Sequence, residues 1–587
     1  MDVRALRIAF IDSEYPQAYD GMSVQQRACG GAEASLARAA HALAQAGCAV
    51  VVFQRGRERV AVVSGVWYLP LSHWAHHASP LDVVVHQRQT THLLDAVARF
   101  PQARQIYWSH NFFENVVARE AAALAASGAW VVGVSDYHVA RLRAVFRREG
   151  HWALARRTQR VYNLVDEAFQ AQGLLPDPHL ISFTSAPNRG LDEALRVVAQ
   201  LRQRDARFRL QLFTPSYVRP PRLDSAVVVA NAQLAPAALT KAVAPSLAVL
   251  QPNLNMPETF GLVYAEANAL GVPVLTHHHG AAFEVLRKPS QVINAHHTEA
   301  MVDRLWAWSQ GQRPQVQAQA DFQAPAVVAA WLRLMRQPEA PARPRRVAVV
   351  TPSYERAAFL AQAHRLFSGK QTDGLSLRWF VLDDSAEEVN APWTQDPRVD
   401  YRCLSERMVL GAKRNALNDA TLAWGADVVV AMDDDDWYGP DYVQSMVDVL
   451  DDHPEFDFVG SEVDHLWEVS TGRVAQVPPI HGTRTCNNFM AYRASVLPSH
   501  RYADDRAAGE EPAFLGRALV AQHPDPRHVH LALAHASNTM TKRNYFGPKS
   551  ACELPGMGLG DFVQDVASRR FYLSLKQASK QELKGEQ

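Results

Sequence analysis

An α/β fold built on parallel sheets is predicted, and three observations predict it. Short β-branched runs alternate with Ala/Leu/Arg-rich helical stretches up to about residue 336. A Pro-rich seam, Gln337-Pro338-Glu339-Ala340-Pro341-Ala342-Arg343-Pro344, then interrupts the alternation as an extended linker. Directly after it a fresh β-α-β pattern begins.

In chain order, strands are expected at Arg7–Ile11, Ala49–Phe53, Leu81–His86, Gln105–Ser109, Trp130–Val134 and Arg160–Tyr162. A second series is expected at Leu180–Thr184, Arg209–Phe213, Ala226–Val229, Leu247–Leu250 and Pro273–Thr276. Right-handed crossovers make these two consecutive Rossmann-like halves, residues 1–175 and 176–336, parted where Gly173, Pro176 and Pro178 break the pattern. The linker takes 337–345, and a third domain takes 346–547. Its expected elements are Val347–Thr351, a helix from about Ala357 to Phe367, Leu377–Leu382, Val428–Met432 and Phe456–Ser461. Residues 548–587 read as a tail, a solvated helix or a frayed end.

At 587 residues the chain is too long for one core. Lys+Arg and Asp+Glu balance at 60 each, so there is no electrostatic case for a nucleic-acid partner. Five scattered cysteines without a Cys-x-x-Cys pair argue against a disulfide framework or a zinc ribbon and fit a reducing cytoplasm. The start of the chain carries no signal-peptide pattern, and the apolar run from Ala121 to Val134 is too short to span a bilayer. A cytoplasmic location is expected, compatible with peripheral contact at the inner face of a membrane.

The densest chemistry lies at Asp433-Asp434-Asp435-Asp436-Trp437, delivered by the apolar run ending at Met432. Four carboxylates at one strand end repel unless a cation sits among them, and hard oxygen ligands suit Mg²⁺ or Mn²⁺. A diphosphate brings the complementary charge. Upstream, Val349-Val350-Thr351-Pro352-Ser353-Tyr354-Glu355-Arg356 turns from strand to helix, and a second strand ends in Asp383-Asp384-Ser385. Those carboxylates can accept from a uracil N–H or a ribose hydroxyl, and Gly411-Ala412-Lys413-Arg414-Asn415 opens a cationic helix. In this order the motifs resemble glycosyltransferase family 2, of GT-A fold, over about residues 346–545.

That resemblance implies donor contacts from Thr351, Asp383, Asp384, Arg414 and Asp433. It implies a Mn²⁺ or Mg²⁺ site at Asp433 and Asp435, with Asp436 close by; the four-Asp run leaves the register open by one. Gly509-Glu510-Glu511-Pro512 resembles the family's Glu-Asp segment, which makes Glu511 the general base, or Glu510 or Asp505 if the register slips. His535 stands where some members place a further metal or phosphate ligand, and a buried structural histidine is the other reading.

In the first part, Glu258 and Glu266 taken alone read as a helix-terminal charge and a solvated face residue. Their surroundings change that. Gly261 permits close backbone approach to a diphosphate, and the helix beginning near Phe260 aims free N–H groups at it. With Gly30-Gly31-Ala32-Glu33, His110, Val134-Ser135-Asp136, Asn163 to Asp166 and Arg189-Gly190 in sequence, the stretch resembles glycosyltransferase family 4, retaining enzymes of GT-B fold, over about residues 6–335. This implies a donor diphosphate against Gly30, Gly31, Arg189, Phe260 and Gly261. It also implies His110 and Glu258 at the transferred sugar, and Glu266 at the ribose. One departure stands out: the family's Arg and Lys pair is reduced here to Arg189. His277-His278-His279 has no fixed metal-ligand spacing.

The combined expectation is a bifunctional glycosyltransferase using nucleotide-sugar donors and a glycan or lipid-linked glycan acceptor. Its N-terminal module would retain and its C-terminal module invert with a metal. The alternatives are a single-activity GT-A enzyme with a degenerate GT-B docking module, a transferase acting on modified nucleic acid or protein, and a lectin-like scaffold.

Overall fold

The computed structural model describes residues 5–110, 114–215, 227–336, 345–372, 374–453, 455–478, 484–535, 538, 542–546 and 552–585. The chain divides into two compact units, Met1–Glu339 and Ala340–Gln587. The Pro-rich segment expected at their junction lies outside the described residues except Arg345.

The first unit holds two parallel sheets. One has eight strands centred on Arg7–Asp12, which pairs with Ala49–Gln54 on one side and Val83–Gln87 on the other. The sheet continues through Arg104–Trp108, Trp130–Gly133 and Thr158–Arg160. A hairpin, Ala61–Val63 with Val66–Pro70, extends the opposite edge; it was not expected because its alternation is only three to five residues long. The other sheet has six parallel strands centred on Asp177–Phe183, flanked by Arg209–Phe213 and Ser246–Gln251 and continuing to Val274–His277. In both, the chain starts mid-sheet and winds out both ways, which opens a crevice at the C-terminal strand ends. Every residue of Ser246–Gln251 is buried, as a parallel strand covered on both faces requires.

The second unit is built on a seven-stranded sheet. Arg345–Ser353 lies between Leu375–Asp383 and Val428–Ala431, all parallel. Val399–Cys403 follows outside Leu375–Asp383, and Met490–Arg493 runs antiparallel beside Val428–Ala431. A second sheet of four short strands, Trp437–Tyr438, His530–Ala534, Asp464–Glu468 and Val474–Val477, faces the acidic run. None of these was expected, being two to five residues each.

The end of the chain departs from the reading as a tail. Val566–Gly585 is a helix whose Tyr572 is 1% exposed and packs with Trp437, Trp467, Leu531 and Val563. The Lys/Glu-rich composition concealed an apolar face. No described helix is long and apolar enough to cross a membrane.

Candidate active site

The four aspartates leave the sheet between its parallel core and the small second sheet, and each is held differently. Asp433 takes the Arg414 guanidinium, whose Nη1 and Nη2 lie 3.2 Å from its Oδ1. Its amide donates to the Tyr438 hydroxyl at 2.8 Å, and that hydroxyl donates to the Asn488 carbonyl. Asp434 turns inward, accepting from Ser353 Oγ at 2.7 Å and Arg356 Nη1 at 2.8 Å. Asp435 Oδ2 meets His535 Nε2 at 3.0 Å, Asn538 Nδ2 at 3.2 Å and Arg356 Nη1 at 2.9 Å. Asp436 accepts from Asn488 Nδ2 and from the Leu533 amide, both at 2.8 Å, with Lys542 Nζ 3.6 Å away.

Exposure separates them. The Asp433 and Asp435 side chains are 23% and 10% exposed, against 2% for Asp434 and Asp436. Only the first and third acids reach the mouth. Burial pushes the Asp434 carboxyl up to about 7, and the charge of Asp435 adds to this against Arg356 and Ser353. For Asp435 burial pushes the carboxyl up, but the hydrogen bond from His535 and the charges of Arg356 and Lys542 together hold it below its ordinary range. Beneath the run His530 is sandwiched, Nδ1 2.8 Å from Asp464 and Nε2 3.6 Å from Asp436. Burial alone would keep that imidazole neutral, but the two carboxylates raise it to about 9.

The four-residue ligand set does not converge: among the described residues no group of three His, Cys, Asp or Glu side chains is placed to hold a metal ion. Asp433 is turned to Arg414 and Asp436 is engaged from within. Asp435 and His535 do meet, and 3.0 Å is about the separation of neighbouring ligands around an octahedral ion bonded at about 2.1 Å. Such ions commonly take one or two protein ligands and complete their shell with substrate phosphates and water. The donor chemistry therefore fits Mg²⁺ or Mn²⁺ at Asp435 and His535.

Arg414 links this mouth to a second acid. Its Nε donates to Glu510 Oε1 at 2.8 Å, and Glu510 is 3% exposed. Glu511 opens the short helix Glu511–Leu515 beside it and is half-buried. Asn415 anchors the preceding loop through Tyr502 and Asp504.

The remaining expected donor contacts lie behind the mouth. Thr351 is fully buried; its hydroxyl donates to the Met432 carbonyl and accepts from Trp379 Nε1, so it sets the strand ends rather than facing a ligand. Asp383 accepts from Ser385 and from the Tyr401 hydroxyl. Asp384 accepts from the Met408 amide and from Arg407, both at 2.8 Å, and from Lys413. Burial opposes its ionisation, yet these donors together hold it below the usual carboxylate range. Arg407 also stacks on the partly exposed Tyr354, 3.2 Å from its ring centre.

Sequence reasoning gave no role to Arg356, Asp464, His530, Asn538, Lys542 or Tyr572, and read Asn488 only as part of Cys486–Arg493, which resembles the family's acceptor-side segment. These residues carry no shared spacing. Arg356 and Asn538 were legible only as neighbours of quoted motifs. Tyr572 donates to the Asp436 carbonyl at 3.2 Å. From the same helix Phe571 packs edge-on against Phe359, which stacks on His535.

In the first unit the expected loop is assembled from both halves. Gly30 precedes the helix Gly31–Gln45, and a Cβ on Gly31 would come within 3.2 Å of Leu262 in the other half. Gly261 sits at φ 80°, and a Cβ there would strike the Tyr264 ring. Phe260 is buried against Tyr162 and Phe322. Thr259 Oγ1 lies 3.5 Å from the His110 carbonyl, which brings the Glu258 loop to His110. Burial, with Arg88 nearby, depresses the His110 imidazole far below its ordinary range, so it is neutral.

The carboxylate pair is separated. Glu258 forms an ion pair with Arg189 and accepts from Gln251 Nε2 at 3.1 Å. Glu266 Oε1 lies 3.0 Å from Arg38 Nη1, and the Arg38 Nε lies 3.2 Å from Asp166. His277, His278 and His279 crowd together with ring centres 4.0 and 4.7 Å apart from His277.

The glycosyl transferase family 2 model matches residues 348–500. No curated protein compared with the chain matches it. Among solved structures, sucrose-phosphate synthase from Thermosynechococcus elongatus is similar over 57% of this chain and 98% of its own, at 19% identity and TM-score 0.45. WaaG, a glycosyltransferase involved in lipopolysaccharide biosynthesis, is similar over 56% of this chain and 95% of its own, at 15% identity and TM-score 0.38. S. aureus TarS 1–349, solved with UDP-GlcNAc, is similar over 33% of this chain and 60% of its own, at 14% identity and TM-score 0.24. The acidic run and the Arg356 turn fall inside the family match, while Glu510, His535 and Tyr572 follow it. Residues 348–500 are a glycosyl transferase family 2 domain, and the chain that carries them is a glycosyltransferase.

Proposed function

We propose that the C-terminal unit transfers a sugar from a nucleotide-sugar donor with inversion and with Mn²⁺ or Mg²⁺. In the same reading the N-terminal unit is a retaining transferase of GT-B fold. The two modules add successive sugars to a glycan or lipid-linked glycan acceptor. The observation that carries the first part is the chain Asp433–Arg414–Glu510, which ties the open end of the acidic run to the helix start bearing Glu511.

A nucleotide lies across the C-terminal ends of the parallel strands, beside Tyr354 and the Asp383–Asp384 turn. Asp435 and His535 would hold a divalent ion near Asp433, and the ion when bound would supply charge neutralisation to the diphosphate leaving group. Glu511 takes the proton from the acceptor hydroxyl as that oxygen attacks the anomeric carbon. Glu511→Gln should lower turnover about 10²- to 10⁴-fold while donor affinity holds. NMR of the product's anomeric proton tests stereochemistry, and a retained configuration from the C-terminal module refutes inversion.

A second reading treats the N-terminal unit as a glycan-docking module. It is favoured by the Arg189–Glu258 ion pair, in which the one cation kept from the expected pair is taken up by the acid meant for the sugar. Glu258→Gln decides between them: an unchanged product composition supports docking, and loss of one sugar from the product supports transfer.

A further inference from the structure

Arg356 sits on the acidic run in a manner the transfer chemistry leaves unexplained. The turn that delivers it is strained, since Glu355 adopts φ 51°, a left-handed conformation costly for a residue with a side chain. The Glu355 amide donates to Ser385 Oγ at 2.6 Å, which pins the turn. Beyond it, one nitrogen, Arg356 Nη1, reaches Asp434 Oδ1 at 2.8 Å and Asp435 Oδ2 at 2.9 Å. The second contact is decisive. Asp435 Oδ2 is the same oxygen that meets His535 Nε2 at 3.0 Å and Asn538 Nδ2 at 3.2 Å.

The other acids have their own counter-charges. Asp433 has Arg414, and Asp436 has Lys542 and His530. Arg356 thus balances the Asp434–Asp435 pair, and a divalent ion seeking Asp435 Oδ2 meets a cation already in contact with it. Coulomb repulsion between a guanidinium and a divalent ion at one oxygen forbids both from keeping close contact. A diphosphate changes the balance, because it arrives with negative charge that a displaced guanidinium can face.

We propose that Arg356 is the resident counter-ion of the acidic run, holding Asp435 in the free protein and yielding it when cation and diphosphate bind together. Cation binding and donor binding are then coupled through this one side chain. The inference rests on the metal-dependent reading of the C-terminal unit.

The test is calorimetric titration of MnCl₂ into the full-length protein, with and without uridine diphosphate, for the native chain, Arg356→Ala and Arg356→Gln. The native chain should bind Mn²⁺ weakly alone and more tightly with the nucleotide. Arg356→Ala should bind Mn²⁺ alone about tenfold more tightly than the native chain, and the gain from the nucleotide should shrink by about the same factor. Arg356→Gln keeps hydrogen-bonding capacity without charge and should follow the alanine variant; it carries the test if alanine prevents folding. Equal or weaker Mn²⁺ affinity in the folded variants overturns the proposal and leaves Arg356 a structural ion pair. A native chain that binds no Mn²⁺ even with the nucleotide overturns the metal-dependent reading as well. Nucleotide-dependent Mn²⁺ binding with unaltered variants overturns this inference alone.

Discussion

Both units set carboxylates at the C-terminal edge of a parallel sheet, yet they balance that charge differently. In the first unit Glu258 and Glu266 are separated, and each meets an arginine from elsewhere, Arg189 and Arg38. In the second, four adjacent acids share Arg414, Arg356, Lys542, His530 and His535, and only Asp433 and Asp435 keep some exposure. A pair matched one to one can stand without an added cation. A run of four carries charge density that side chains compensate at a cost in desolvation, because each buried ion must recover its lost hydration. The difference teaches where an added cation would relieve charge, at the run rather than at the pair, which is the contrast the proposed metal-dependent reading needs.

The strongest way to break that comparison is to remove the acid that meets His535. Asp435→Ala should lower C-terminal turnover and Mn²⁺-dependent donor binding about 10²-fold or more, with excess chelator doing the same to the native chain. Persistent turnover in chelator refutes the contrast. Next comes the support from the final helix. Tyr572→Ala empties a fully buried aromatic site and should destabilise the C-terminal unit by about 3–5 kcal/mol, read by denaturant unfolding. Tyr572→Phe keeps the ring and loses the hydroxyl's hydrogen bonds with the Asp436 carbonyl and Gln362, so about 1–2 kcal/mol is expected.

The smallest effect sharpens the first unit. Glu284, on the short helix Ala282–Leu286, accepts the Asp136 and Tyr137 amides at 2.7 and 3.2 Å, at the start of the helix Asp136–Arg148. Burial, and then the charge of Asp136, raise its carboxyl to about 7. A folded value above the unfolded one means stability that is complete below the ordinary carboxylate range and declines as pH rises through about 7. The native chain should therefore lose stability in its first unit between about pH 5 and 7.5, and Glu284→Gln should flatten that slope. A slope that survives the substitution assigns it to another group.

Much of this was legible beforehand. The parallel strands declared themselves through long β-branched runs such as Ala49–Gln54 and Val428–Ala431, and the motif order singled out Asp433, Glu511 and the Gly30–Gly31 turn as candidates. The short strands of the small sheet did not show, since two or three residues have no period to read. Thr351 looked like a donor contact by position, but its burial makes it part of the frame beneath the run.

By itself the sequence determined which chemistry can occur: carboxylates at strand ends, glycines where backbone must approach, cations opening helices. These are local properties, set by residue type and spacing along one strand or turn. Only the tertiary structure decided which two of four identical aspartates face outward, and that His535, Lys542 and Tyr572 attend them. Contacts across more than a hundred residues leave no periodic trace, because packing rather than spacing selects them.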